Sequence, residues 1–389
     1  MNNLFRHLLA FTFASLLVSG ASPARSADGP TSSPSALPGA ATRIAATDGK
    51  IAPYQARFGR SRPVIAVIGE NSGTELIDFV IPYGVLAESG VADMVSVSTQ
   101  AGPMTMRPAL RIQPEATISQ FDARYPEGAD YVIVPAVVKH DDPALLAWIA
   151  AQGAKGSTLV SICDGALVVA NSGLLDGHRA TAHWATYGLR TKAYPTTNWV
   201  KNTRYVADGK IVSSAGISAA MPVSIALVEA IAGHERAATV AQGLGVTDWS
   251  QRHDSDIFLP RFGVNLMAYF RTTYSNSMLH SKQSIGVPMA PGVDEIALAF
   301  TADAYSRTGR SRAYSLSTAD VAVQTRNGLR VLPDRVIGGD RAVDRTLAPF
   351  DATLSARVLD QALAGIAKLY GRSTAYGVAL SFEYPGFVR

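Results

Sequence analysis

Four short, continuously apolar runs alternate with helix-like stretches, and this alternation limits the fold more than any other feature of the sequence. RPVIAVIG (62–69), MVSVST (94–99), ADYVIVPA (129–136) and STLVSIC (157–163) each read as a strand buried on both faces. Residues 74–89 read as a helix closed by Gly90 at the C-cap, and DPALLAWIAAQGAKG as one opened by Asp142 or Pro143. DGALVVANSGLL follows the fourth run as a helix rich in small residues. Downstream, GKIVSSAGISAAMPVSIALVEAIAG reads as a strand, a glycine turn and a long apolar helix. The implied class is α/β, a mostly parallel sheet with helices on both faces. Ligands of such sheets bind beyond the carboxyl ends of the strands, where Cys163 and the segment after Pro135 fall.

A second regularity governs the organisation. Residues 71–118 laid on 290–337 at a constant offset of 219 need no gap and give eleven identical pairs, among them Gly73/Gly292, Gly90/Gly309, Arg107/Arg326 and Pro114/Pro333. Glu75/Asp294 and Ile112/Val331 are conservative pairs. Self-similarity at this level predicts a second, shorter α/β unit. DATLSARVLDQALAGIAKLYG and YGVALSFEY are expected to supply its helix and a further strand, after which it stops without a thiol. The expected layout is a signal peptide (1–27), a flexible leader (28–60), a first domain (61–250), a connector (251–283) and a degenerate half-repeat (284–389).

Composition narrows the class. At 17% charged residues, the chain lacks the charge a disordered or coiled-coil protein needs. A net charge of +4 without a clustered basic run gives no argument for nucleic acid. One cysteine excludes a disulfide scaffold and a thiolate zinc site. The N-terminus pairs Arg6 and His7 with an apolar stretch from Leu8 to Val18, then small residues, the pattern of a secretory signal. Export to a periplasm or the exterior is expected, with no stable membrane insertion.

The single thiol carries the chemistry. Cys163 ends a strand and a helix begins at once, the layout of a nucleophile elbow in which the helix N-terminus lowers the thiol pKa and offers N–H groups to an oxyanion. Gly165 and Ala166 permit the close strand–helix packing of such a turn. By pattern alone a buried structural cysteine is an equal alternative.

SICDGALVVANSGLLDGHRATAHW resembles the signature of the ThiJ/PfpI superfamily, with His183 twenty residues after Cys163. TELIDFVIPYGVLAESG resembles that family's first helix, in which an acidic residue four before a proline reaches the thiol; Asp78 holds that place before Pro82. YVADGKIVSSAGISAAMPVSIALVE is similar to its closing strand, turn and helix, so the resemblance covers roughly residues 60 to 235. It implies a flavodoxin-like, glutamine amidotransferase-like fold and a hydrolase or hydro-lyase acting on a small carbonyl, amide or isonitrile compound. Cys163 would be the nucleophile, Asp78 the acid sharing its proton, and His183 a base or pocket-lining donor. The backbone N–H groups of Ala136 and Asp164 would meet an oxyanion. Two departures bear on this. Pro135-Ala136-Val137 stands where the family carries P-G-G, and the Asp164 carboxylate opposes thiolate formation unless it turns away to cap the helix. The alternative reading is a non-catalytic ligand-sensing or protein-binding module of the cell envelope.

The remaining motifs are weaker. Glu75, one turn before Asp78, is expected to be solvated. His140, Asp141 and Asp142 read as a solvated loop, and His253, Asp254 and Asp256 lack the support a metal site needs. IFLPRFGVNLMAYFRTTY is expected to pack the connector against both units, the alternative being a ligand or membrane patch. No cofactor and no metal are expected. The expected partners are a small-molecule substrate or ligand, no nucleic acid, and a second copy in a homodimer.

Overall fold

The computed structural model describes residues 49–350 and 354–387. The expected signal peptide and residues 28–48 of the leader lie outside the described residues. The first unit opens with β1 (Val64–Gly69), β2 (Thr74–Glu75), α1 (Leu76–Ser89), β3 (Asp93–Ser98), β4 (Met104–Arg107), β5 (Arg111–Gln113) and β6 (Ala116–Thr117). It continues through α2 (Ile118–Arg124), β7 (Tyr131–Val134), α3 (Pro143–Ala154), β8 (Thr158–Ser161), α4 (Gly165–Asn171) and β9 (Arg179–Ala180). It closes with α5 (Tyr187–Ala193), β10 (Asn198–Trp199), β11 (Tyr205–Asp208), β12 (Ile211–Ser214), α6 (Ala220–Ala232) and α7 (His234–Leu244).

The main sheet has the order β11-β12-β8-β7-β1-β3-β6, parallel throughout except for β11. Along β1, Ile65 and Val67 enter one core while Val64, Ala66 and Ile68 enter the other, so the unbroken apolar run is explained by burial on both faces. α1, α6 and α7 cover the first face; α2, α3 and α4 cover the second. Asp142 caps α3 by accepting from the Leu145 N–H at 2.9 Å, and Gly90 ends α1 in the left-handed conformation at φ 64°.

Residues 49–60, expected to be part of the leader, are docked instead. The Tyr54 N–H donates to the Ala230 carbonyl at 2.8 Å, and Arg60 pairs with Asp130 at 2.8 Å. Backbone pairing and a buried aspartate partner hold a stretch whose Pro/Ala composition suggested mobility.

The connector holds α8 (Leu266–Phe270), a π-turn at 271–275 and α9 (Asn276–Leu279). The second unit follows with β13 (Gln283–Pro288), α10 (Glu295–Ser306), β14 (Ser311–Ser317), β15 (Val323–Gln324), β16 (Arg330–Leu332), β17 (Arg335–Val336) and β18 (Arg345–Thr346). It ends in α11 (Val358–Tyr370) and α12 (Arg372–Ser381). Its sheet, β17-β14-β13-β18, is parallel. The stretch YGVALSFEY, expected as a strand, lies mostly in α12. A short apolar run carries no period that separates strand from buried helix. Here Gly377 fits against α8, where a Cβ would come within 2.8 Å of the Ala268 carbonyl oxygen.

The two units share one core. α10 packs along α1 so closely that a Cβ on Gly84 would lie 2.8 Å from Ile296 Cγ1. Their hairpins join in one sheet, β15-β16-β5-β4-β2, where Ile112 stands opposite Val331, Arg111 opposite Leu332 and Gln113 opposite Arg330.

Candidate active site

The elbow is built by local sterics. β8 ends at Ser161, Ile162 donates its N–H to the Val134 carbonyl at 3.0 Å, and Cys163 turns into the left-handed region at φ 55°. That conformation is costly for a residue with a Cβ and is held by its surroundings. The Cys163 N–H reaches Ser214 Oγ at 3.4 Å. Gly165 is required: a Cβ there would sit 2.0 Å from the Val134 carbonyl oxygen. Helix α4 therefore starts directly against the end of β7.

Asp78 projects from the first turn of α1 and is wholly buried; Cys163 is 6% exposed. The start of α1 is latched to the end of β7 in both directions. The Glu75 N–H donates to the Ala136 carbonyl at 2.8 Å, and the Ala136 N–H donates to Asp78 Oδ2 at 3.2 Å. Asp78 Oδ1 has no hydrogen-bond partner among the described residues. Burial first, then the neighbouring Glu75, pushes the Asp78 carboxyl well above the usual carboxylate range, against the opposing Ala136 N–H. Burial also pushes the Cys163 thiol up, with Asp78 the strongest of three acids adding to it, ahead of Asp164 and Glu75. The Asp164 backbone N–H acts in the opposite direction. Of the two amides expected to meet an oxyanion, that of Ala136 is engaged by Asp78.

The Asp164 side chain does turn away, but not to cap α4. Its Oδ1 accepts from Thr186 Oγ1 at 2.7 Å, with Arg190 nearby. His183 is buried and caps the short 3₁₀ turn that follows it, its Nδ1 accepting from the Ala185 N–H at 3.2 Å. Its Nε2 then carries the proton and faces the Ser381 carbonyl at 3.4 Å.

Glu75, expected to be solvated, instead forms an ion pair with Arg307 at the C-cap of α10, which also pairs with the wholly buried Asp303. Docking of the second unit on α1 brings the guanidinium there, a contact that no local pattern announces. Burial pushes the Glu75 carboxyl up, with Arg307 opposing and Asp303 adding to the shift. At offset 219 the counterpart Asp294 is an ordinary helix cap, accepting from Ile296 and Ala297, and the counterpart of Asp78 is Ala297.

On the other flank stands Glu383, which sequence reasoning missed. It accepts from the Trp184 N–H at 2.8 Å, the Gly216 N–H at 3.0 Å and His253 Nε2 at 3.0 Å. Burial alone would raise this carboxyl; the His253 bond, the facing imidazoles and the Trp184 N–H hold it below its usual range. His253 is thus a carboxylate partner, while Asp254 caps a 3₁₀ turn through the Asp256 N–H. Among the described residues no group of three His, Cys, Asp or Glu could hold a metal ion. No described helix is long and apolar enough to cross a membrane.

Residues 64–230 match the model of the DJ-1/PfpI family. The chain is 29% identical over 169 residues to an isonitrile hydratase of Pseudomonas putida, covering 42% of this chain and 70% of that one. It is 33% identical over 125 residues to the HTH-type transcriptional regulator CdhR of Pseudomonas aeruginosa, covering 32% of this chain but only 37% of the regulator. The crystal structure of Drosophila melanogaster DJ-1beta aligns with a TM-score of 0.43 at 22% identity, covering 48% of this chain and all of that one.

Proposed function

Because residues 64–230 form a DJ-1/PfpI family domain, we propose that this chain is a cysteine-dependent hydro-lyase that adds water to an isonitrile-type carbon. One observation carries the reading: the wholly buried Asp78 carboxyl, which burial raises well above the usual carboxylate range, neighbours the Cys163 thiol, and the Ala136 N–H is already bonded to that carboxyl. Addition to a carbonyl or amide needs free N–H donors for the oxyanion. Addition to an isonitrile carbon needs a proton at that carbon instead. The Cys163 sulfur bonds to the terminal carbon, the carbon takes the Asp78 proton, and the thiol proton replaces it on the carboxylate. Water then adds to the resulting thioimidate, the sulfur leaves with a proton, and an N-substituted formamide is released. The hydratase resemblance supports the same substrate class.

The test is turnover of a small alkyl isonitrile, followed by NMR of the formamide and run beside glyoxal and simple amides. Formamide production by the wild type, absent in Cys163→Ala, is expected. Turnover of glyoxal or amides without the isonitrile would overturn the assignment, as would activity surviving in Cys163→Ala.

A second reading, a non-catalytic sensor of a small ligand, is favoured by the burial of the thiol and by the turn at Ser381–Glu383, which bonds His183 and Trp184. Undiminished ligand affinity in Cys163→Ala with no turnover in either protein would support it. Export rests on the pattern of residues 1–27.

We read residues 284–389 as a truncated repeat of the first unit. In support, adding 219 to the bounds of β1, β5 and β6 reproduces those of β13, β16 and β17. The hairpins also pair about Ile112 and Val331, positions related by the same offset. On this reading the second unit covers α1 and pairs with β5.

A further inference from the structure

The connector buries only one side of itself. Phe258, Ala268 and Tyr269 pack with Leu380, as a connector holding both units together should. The opposite side is bare. Met267, Phe270, Met278 and Leu279 are exposed, as are Phe262 and Val264 in the preceding loop, Phe262 by 91% and Met278 by 79%. Of the twelve large apolar side chains exposed among the described residues, seven fall between residues 257 and 279. Such concentration marks an interaction surface rather than scattered exposure.

Within 266–279 the spacing places Met267, Phe270, Tyr274 and Met278 along one stripe, with the Phe270 and Tyr274 rings 5.8 Å apart. The charges around the stripe have one sign. Residues 257–282 hold Arg261, Arg271, His280 and Lys282, all exposed, and no Asp or Glu. The nearest acids in sequence, Asp254 and Asp256, are tied to backbone N–H and Asn202 groups.

We infer that this face docks on an anionic lipid bilayer, the apolar stripe seated at the headgroup boundary and the basic side chains against lipid phosphates. A second copy fits poorly, because a two-fold contact would lay the patch on itself and bring two basic surfaces together. The contact is peripheral, since the helical run at 266–279 is too short to span a bilayer.

The test uses the full chain in co-sedimentation with phosphatidylglycerol-containing vesicles and with phosphatidylcholine vesicles, and light scattering for its mass in solution. Pelleting with the anionic vesicles alone is expected. It should fall roughly tenfold or more in the Phe262→Ser, Met267→Ser, Met278→Ser triple variant and weaken in high salt. These side chains are exposed, so an unchanged melting temperature and near-ultraviolet spectrum confirm that the variant is folded. Equal pelleting with both vesicles, none with either, or binding kept by the variant would overturn the proposal. So would a wild-type dimer that the triple variant abolishes.

Discussion

Glu383 accepts a hydrogen bond from the Trp184 N–H at 2.8 Å, although 199 residues separate them. Its other oxygen takes the Gly216 N–H and His253, and Ser218 bonds the Phe382 and Glu383 carbonyls. The end of the second unit is thereby clamped to the loop after His183 and to the turn after β12. That turn lies beside the elbow, because β12 pairs with β8.

Removing this clamp should lower stability in a pH-dependent way. The Glu383 carboxyl is held below its usual range in the fold. Its stabilisation is therefore fully present above the unfolded value near about 4.3 and is lost as pH falls through the lower folded value. Glu383→Gln strands a buried imidazole and weakens two amide bonds, a loss of about 2–3 kcal/mol at pH 7. Thermal melts across pH 3–7 should show a lower Tm at pH 7 and a flatter acid limb; an acid limb identical to the wild type would contradict this.

Cys163 should be a slow thiol at neutral pH. Burial and three acids raise it, so the iodoacetamide rate should still be climbing above the free-cysteine value of about 8.5. Asp78→Asn removes the proton donor of the proposed step, and isonitrile hydration should fall by about 100-fold or more. A wild-type midpoint below that of free cysteine, or undiminished hydration in Asp78→Asn, would break the acid–thiol pairing.

Arg307 is the guanidinium that Glu75 and Asp303 share. Arg307→Met leaves two buried carboxyls without it and should cost about 3 kcal/mol, read from urea unfolding. Arg307→Lys should recover part of that loss. Equal stability of the Met variant and the wild type would show that the pair contributes nothing to docking of the second unit.

Gly165→Ala tests the elbow itself. With its Cβ 2.0 Å from the Val134 carbonyl oxygen, the helix must move away from β7, a destabilisation of about 3 kcal/mol or more. Ala166→Ser, one residue later, serves as the control for helix propensity. Normal expression and an unchanged Tm for Gly165→Ala would refute the steric account.

Much of the first unit was legible because its information is short-range. The four apolar runs became β1, β3, β7 and β8, and the Asp142 cap and the Gly90 stop fell where residue type demands. Asp78, Cys163 and Asp164 come together at one sheet end, with His183 on the same loop cluster. The misses were of another kind. YGVALSFEY became helix because its small residues meet α8, and residues 49–60 ordered because β7 and α6 offered partners.

The sequence by itself determined the alternating α/β frame, the turn at Cys163 and the place of Asp78 on the first helix. Each depends on sterics or periodicity within a few residues. Tertiary structure alone decided that Arg307 meets Glu75 across 232 positions and that Glu383 closes on Trp184. It likewise decided that the Ala136 amide serves Asp78. Charge pairing and burial depend on which surfaces dock, and docking is a property of the assembled units rather than of any short segment.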